Sequence, residues 1–199
     1  MLKKLSAVTL TTLLLLIPVP VAAAKVEPAG GAVIYGQPDE ASMASRVTAM
    51  ASHLDGNGYW VATANGMVLN FGSAGHFGDM DSVTLNQPVV GMAPTKTGNG
   101  YWLVASDGGI FSFGDAAFYG SAGSVVLNSP IVGMAATNAG RGYWLVAADG
   151  GVFSYGDAVF HGSTGDLVLN RPIVSLLSTI TDAGYWLLAD DGGIFTFGD

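Results

Sequence analysis

The chain contains no cysteine, and only seven of its 199 residues are lysine or arginine. Without cysteine the fold has no disulfides, and neither a thiolate metal site nor a lipid-modified cysteine can form. Fifteen acidic residues bring the formal net charge to −8 at pH 7. A chain this poor in basic side chains disfavours binding to nucleic acids or anionic membranes, which both need clustered positive charge. Half of the residues are hydrophobic, so stability is expected to come from a packed core.

The first 24 residues have the layout of a secretory signal peptide. Lys3 and Lys4 give a positive start, residues 5–17 are apolar apart from Ser and Thr, and alanines at 22–24 offer a small-residue cleavage site. A retained membrane anchor is the alternative, because about 20 apolar residues can cross a bilayer. Pro18 and Pro20 argue against it. The sequence predicts a cleaved leader at 1–24, a linker at 25–31 and an extracellular location, free or associated with the cell wall.

A Gly-Tyr-Trp triplet recurs four times at an interval of 42 residues. A β-rich, glycine-punctuated period of about 40–45 residues is typical of β-propellers, with one blade per repeat. Residues 32–199 hold four such periods. The sequence therefore predicts an all-β fold, a four-bladed β-propeller over 32–199. The triplets end at Trp60, Trp102, Trp144 and Trp186.

The last repeat shows how one blade is expected to be built. Residues 173–177 and 184–189 predict the first two strands, and residues 193–197 predict the third. The Asp191-Gly192 pair between them suits a tight hairpin, since both central positions of such a turn favour these residue types. The strands are apolar at nearly every position, which is typical of strands covered on both faces.

The N-terminal segment 32–36 has the phase of a fourth, outermost strand. Tyr35-Gly36 precedes Trp60 at the same offset at which Tyr119-Gly120 precedes Trp144. The last repeat lacks such a strand within the chain. We therefore expect residues 33–35 to pair with residues 194–197 and close the ring, which would cover an exposed strand edge.

The four tryptophans have two interpretations. Neighbouring Tyr and Trp residues point to opposite faces of a strand, so each blade could pack one ring against each neighbour. The alternative is a ring of platforms on which sugars stack. The uniform occurrence of tryptophan in every repeat favours packing, and we expect these residues to be structural.

Catalytic and metal sites are not predicted. His53, His76 and His161 occupy three different repeat positions, whereas zinc needs three or four converging ligands. No Ser-His-Asp arrangement follows from the spacing, and no cofactor motif is found. The paired acidic residues of the loops are interpreted as solvated charge rather than as the carboxylates of a glycosidase: Asp79 with Asp81, and Asp190 with Asp191.

The turns that connect successive blades carry the most variable polar residues of the repeat. A specific ligand pocket is expected to draw on such positions, near the axis on one face of the ring. The alternative is that asparagine and proline simply form the turn there. The candidate ligand-binding residues are Arg46, Asn86, Gln87, Asn128, Ser129, Asn170 and Arg171.

The run GYWLVASDGGIFSFGDA at 100–116 resembles tandem repeats of secreted actinobacterial proteins. Such repeats often accompany cell-wall hydrolase or peptidase modules and have no settled function. The resemblance covers 31–199 and is weakest in the first unit, where residues 67–70 read MVLN and Arg46 replaces proline. In ring size the chain is similar to the four-bladed hemopexin-type propellers, without their disulfide. The resemblance implies a cell-envelope context.

These observations together predict an exported, monomeric and non-enzymatic module that binds a cell-envelope glycan, peptide or protein. A hydrolase or lyase acting in the axial funnel of the ring is the alternative from another class. A purely structural surface protein is the third.

Overall fold

The computed structural model describes residues 32–39 and 43–199, so the predicted leader and linker lie outside the described residues. The described chain forms β-strands and turns without a helix, and therefore without any helix that could span a membrane. Its strands form four three-stranded antiparallel sheets, one per repeat, each in the order first-second-third. This confirms an all-β architecture of repeated blades. The strands are β1 Val47–Ser52, β2 Gly58–Thr63, β3 Val68–Gly72, β4 Val89–Pro94, β5 Gly100–Ala105, β6 Ile110–Gly114, β7 Ile131–Ala136, β8 Gly142–Ala147, β9 Val152–Gly156, β10 Ile173–Ser178, β11 Gly184–Ala189 and β12 Ile194–Gly198.

The three predicted strands of the last repeat correspond closely to β10, β11 and β12. Their hairpin turns through Gly192, whose φ of +85° lies in the left-handed region that glycine tolerates. The carboxylate of Asp191 accepts the backbone N–H of Gly193 at 3.0 Å and fixes the same turn. The apolar runs therefore predicted the three strands of this sheet correctly. The centre of the turn was predicted one residue too late, because Gly192 donates its N–H to the carbonyl of Ala189 at 3.0 Å and so places Asp190 and Asp191 at the two central positions.

The sheets radiate from their first strands, which lie side by side. Cα atoms of β1 and β4, of β4 and β7, and of β7 and β10 approach within 8 Å, whereas no third strand reaches a neighbouring sheet at that distance. A backbone bond joins each junction, as where Ile173 donates its N–H to the carbonyl of Ala148 at 2.8 Å. The first strand is thus the innermost one, as in a propeller blade.

Each sheet packs on the next through an aromatic pair. The tryptophan of one second strand lies against the tyrosine of the next second strand, with ring centroids 5.7–5.9 Å apart. All six side chains are fully buried, so the first three tryptophans are packing residues that no sugar can reach. Trp186 in the last sheet differs, because 41% of its surface is exposed. The pairs are Trp60 with Tyr101, Trp102 with Tyr143, and Trp144 with Tyr185.

The predicted fourth strand does not form in the described chain. After β6 the backbone reverses at Gly114, where φ is +66°, and leaves the edge of the sheet. The following segment crosses the face of the sheet instead, because the indole N–H of Trp102 donates to the carbonyl of Ala117 at 2.8 Å. The first and third units repeat this bond. Each segment therefore lies between two sheets, and the blades have three strands rather than four.

The N-terminal segment lies on the first sheet, which corrects the predicted pairing with residues 194–197. Tyr59 donates its hydroxyl hydrogen to the carbonyl of Gly36, and Tyr35 donates to the Asn57 side chain at 3.1 Å. The strand β12 pairs only with β11, and no strand of the first sheet comes within 8 Å of the last sheet. The position of Tyr35-Gly36 within the repeat was predicted correctly, because Gly36 accepts the same tyrosine bond as Gly78 does in the next unit. The sheet that this segment contacts was predicted wrongly. The described stack is open at both ends.

Candidate binding face

The connecting-loop face consists of residues 80–87, 122–129 and 164–171, which link successive sheets. Each loop starts at its own hairpin, as where Met80 donates its N–H to the carbonyl of Gly66 at 2.9 Å. The equivalent bonds from Ala122 to Gly108 and from Thr164 to Gly150 measure 3.0 and 3.2 Å. The three loops are therefore held in equivalent positions, one per junction.

Two neighbouring pockets lie along this face. The first has a volume of about 410 Å³ and includes Asn65, Asn86 and Gln87. The second has a volume of about 360 Å³ and includes Gln87, Asn128 and Ser129. Because Gln87 lines both pockets, they form one interrupted groove across the first and second connections.

Four of the seven predicted ligand-binding residues line these pockets: Asn86, Gln87, Asn128 and Ser129. The side chains of Arg46, Asn170 and Arg171 are exposed but line neither pocket. Each pocket combines the loop of one unit with residues that lead into the next, and the two pockets lie at the first and second connections, whereas Asn170 and Arg171 belong to the third connection. The structure therefore brings together the central members of the predicted set, and their binding of a ligand stays a prediction.

Apolar side chains at the tips of the same loops were missed by the sequence interpretation. Val126 and Val168 occupy equivalent positions and are almost completely exposed, at 96% and 102%. Val83, Val125 and Leu167 form a second equivalent set that is also exposed. Their regular recurrence in otherwise polar loops was the available signal. The face thus alternates amide-lined pockets with apolar tips.

A second concave surface lies along the first strands. It has a volume of about 420 Å³ and is lined by Met50, Met92 and Met134 with small and polar neighbours. Lys96 is the one ionisable side chain among its lining residues. This groove occupies the position of the predicted axial funnel, and its lining offers no carboxyl or imidazole pair for acid–base chemistry.

His53, Asp55 and Ser73 converge at the outer end of the first sheet. The Asp55 carboxylate lies 2.7 Å from His53 Nδ1 and accepts the hydroxyl of Ser73 at 2.9 Å. It also accepts the backbone N–H of Asn57 at 2.7 Å, and this bond, followed by that of His53, lowers the pKa of Asp55 to about 2. Ser73 lies 3.4 Å from the same imidazole nitrogen, whereas a nucleophile and an orienting acid use opposite nitrogens.

The second unit shows what this cluster does. There Asp115 holds the equivalent place of Ser73, and its carboxylate accepts the hydroxyls of Thr95, at 2.8 Å, and Thr97. The first unit has the carboxylate at Asp55 and the hydroxyl at Ser73, whereas the second unit has the hydroxyl at Thr97 and the carboxylate at Asp115. Both units therefore keep a hydrogen bond between the same two segments of the repeat. The His53 cluster is therefore a structural link rather than a catalytic triad.

The other two histidines are far apart in the fold. His76 lies 3.9 Å from the carboxylate of Asp79 on a connecting segment. His161 packs edge-on against Tyr185 in the last junction, with ring centroids 5.6 Å apart. Among residues 32–39 and 43–199, no three metal-ligating side chains come together.

No protein-family model matches the chain, and no curated protein matches its sequence. The class of protein is therefore defined by its own architecture: an all-β stack of repeated blades with paired pockets between successive loops.

Proposed function

We propose that the protein is an exported, non-enzymatic module that binds an extended polymer of the cell envelope along its connecting-loop face. The single observation that carries this proposal is the pair of neighbouring pockets joined at Gln87. The signal-peptide layout of residues 1–24 supports export, and the resemblance to actinobacterial repeats supports a cell-envelope ligand.

The chemistry of the pockets suits a glycan, a peptide or an extended protein segment. The amides of Asn86, Gln87 and Asn128 each offer both donors and acceptors, which match hydroxyl, acetamido or peptide groups. The exposed tips at Val83 and Val125 add apolar contact at the pocket rims. Equivalent pockets at successive junctions fit a ligand whose chemical groups also repeat.

The observations favour binding over hydrolysis. A hydrolase in the axial funnel would need a general acid and a base beside the substrate. The methionine-lined groove supplies Lys96 as its ionisable group, and the His53 cluster has the hydrogen-bond arrangement of a structural link. A purely structural surface protein would not need amide-lined pockets, so the binding proposal accounts for more of the structure.

Sedimentation with purified insoluble bacterial cell wall tests the proposal. We expect the protein to co-sediment, and the Asn86→Ala/Asn128→Ala variant to lose affinity by about tenfold or more, since two hydrogen-bonding groups are removed. The Arg46→Ala/Arg171→Ala variant is the matched control, because those side chains line neither pocket. Equal retention of both variants, or loss in the arginine variant alone, would contradict the assigned site. Release of soluble wall fragments would instead support a hydrolase, and no retention would support the structural alternative.

A further inference from the structure

The last sheet carries an uncovered copy of the surface that forms every internal junction. In the third unit Trp144, Val146, Ala135 and Val152 pack against the fourth sheet. The equivalent side chains in the fourth unit lie around an apolar pocket of about 380 Å³ that is open to solvent. Ile194 is 65% exposed there. We define this surface as the trailing face: Leu177, Trp186, Leu188 and Ile194.

The first sheet carries the complementary surface. The side chains of the fourth sheet that receive Trp144 are Leu176, Tyr185, Leu187, Phe195 and Phe197. Their equivalents in the first unit lie on the side of the first sheet that has no preceding sheet, and Met50 there is 63% exposed. We define this surface as the leading face: Met50, Tyr59, Val61, Leu69 and Phe71.

We propose that the trailing face of one copy binds the leading face of a second copy of this chain. The trailing face and the leading face differ from each other, and together they have the residue types of one internal junction. A contact between two different surfaces of identical chains is head-to-tail. The first and last sheets of one chain lie apart, because no strand of the first sheet comes within 8 Å of the last sheet. Two copies bring together eight sheets, which is within the range of about four to eight blades found in propellers. The inference does not depend on the proposed ligand.

The N-terminal segment provides the hydrogen-bond acceptor that Trp186 needs. At the third junction the indole N–H of Trp144 donates to the carbonyl of Val159 at 2.7 Å. Val33 is the equivalent of Val159 in the repeat, and its segment already lies on the first sheet through the bond from Tyr59 to Gly36. A second copy therefore presents the carbonyl of Val33 where the indole N–H of Trp186 would meet it.

A charge pair distinguishes this junction from the three internal ones. Within the chain, Ile173 donates its N–H to the carbonyl of Ala148 at 2.8 Å, next to Pro172. The equivalent contact between copies joins Val47 to the carbonyl of Asp190, which places Arg46 beside Asp190. The internal junctions have proline at the Arg46 position and alanine or serine at the Asp190 position. At these two positions, opposite charges therefore occur only at the proposed contact between copies.

Sedimentation equilibrium of the purified protein tests the proposal over a range of concentrations. We expect a dimer or a larger assembly, and we expect Ile194→Glu and Met50→Glu each to weaken association by about tenfold or more, since each buries an unpaired charge. Both side chains are exposed in the single copy, so both variants keep the fold. Val126→Glu, on the exposed tip of a connecting loop, is the control and leaves association unchanged.

A charge exchange checks the orientation. Arg46→Asp and Asp190→Arg each weaken association, and the double variant restores it, since the pair is re-formed with reversed signs. Trp186 is the one partly exposed tryptophan of the four, so its emission shifts to the blue as concentration rises. A protein that stays monomeric at all concentrations overturns the proposal. So does a Trp186 emission that is already blue-shifted in the dilute monomer, because that result means closure within one chain.

Discussion

The indole N–H of Trp144 donates to the carbonyl oxygen of Val159 across 2.7 Å, and this bond fastens the connecting segment over the face of its sheet. The indole N–H is removed from water, since Trp144 is fully buried. Replacing Trp144 with Phe leaves the carbonyl of Val159 without its donor. We expect the free energy of unfolding to fall by about 1–3 kcal/mol, measured by urea denaturation.

The matched control is Trp186→Phe. This position is equivalent in the repeat but partly exposed, and the described residues show no hydrogen bond from its indole N–H. At concentrations where the protein is monomeric, we expect a change within about 0.5 kcal/mol. Equal losses in the two variants would contradict the role assigned to the Trp144 bond.

The residue at the end of each third strand has a backbone conformation and a close neighbour that only glycine tolerates. Gly114 has φ +66°, and a Cβ built there would lie 2.1 Å from the carbonyl oxygen of Asn99. We expect Gly114→Ala to lower the free energy of unfolding by more than about 2 kcal/mol, because strain and a backbone clash combine. Gly133→Ala is the control, since its nearest atom is 3.8 Å away. That variant should be unchanged or stabilised by up to about 1 kcal/mol, and a reversed order would contradict the backbone geometry.

Asp55 makes stability depend on pH in the acid range. Its pKa is lowered from 3.8 to about 2, first by the backbone N–H of Asn57 and next by His53. A depressed pKa in the folded state stabilises the protein above pH 3.8, and this contribution disappears as the pH falls through about 2. We expect Asp55→Asn to be less stable than the parent at about pH 5 and the difference to shrink towards pH 2.

Urea denaturation at successive pH values between those limits measures the Asp55 effect. Asp166→Asn, which changes a carboxylate of an exposed connecting loop, gives the baseline. A difference between Asp55→Asn and the parent that stays constant across the range would contradict the role given to the Asp55 bridge.

Tyr35 anchors the N-terminal segment on the first sheet. Its ring lies 6.3 Å from that of Tyr59, and its hydroxyl donates to Asn57. We expect Tyr35→Ala to cost about 1–2 kcal/mol and to speed hydrogen exchange in β2 and β3, because an aromatic contact and a hydrogen bond are lost together. Gln37→Ala, an exposed neighbour, should leave both unchanged. Faster exchange in β12 instead would mean that the segment covers the last sheet.

Local signals in the sequence were enough to predict the sheets. The 42-residue period, the apolar runs and the Asp-Gly hairpins each act within one unit, and β10, β11 and β12 lie where they were expected. The route of the chain between units was not predictable in this way. The position of Tyr35-Gly36 in the repeat is compatible with contact to the first sheet or to the last sheet. The hydrogen bond from the Tyr59 hydroxyl to the carbonyl of Gly36 places the segment on the first sheet. The prediction of a fourth strand was wrong because the Trp102 indole takes the carbonyl of Ala117 as its hydrogen-bond acceptor and holds that segment over the face of the sheet.

The candidate site was predictable in part for a similar reason. Variation among the connecting turns indicated Gln87 and Asn128 as members of one face, and the structure shows that both line one pocket, but the variation could not show that Arg171 of the third connection lines neither pocket. The His53 bridge was missed because its members are separated along the chain, and because the exchange of acid and hydroxyl with Asp115 hides their equivalence.

The central claim is that the four sheets form an open stack, with the N-terminal segment on the first sheet. The absence of native cysteine allows spin labels to be placed by two substitutions alone, Val33→Cys in the N-terminal segment and Ile194→Cys in β12, both at exposed positions. Pulsed dipolar spectroscopy on this double variant, diluted in unlabelled protein, measures the distance within one chain. We predict a long distance, well beyond the spacing of about 5 Å between paired strands. A short distance within one chain, as paired strands would give, would contradict the account.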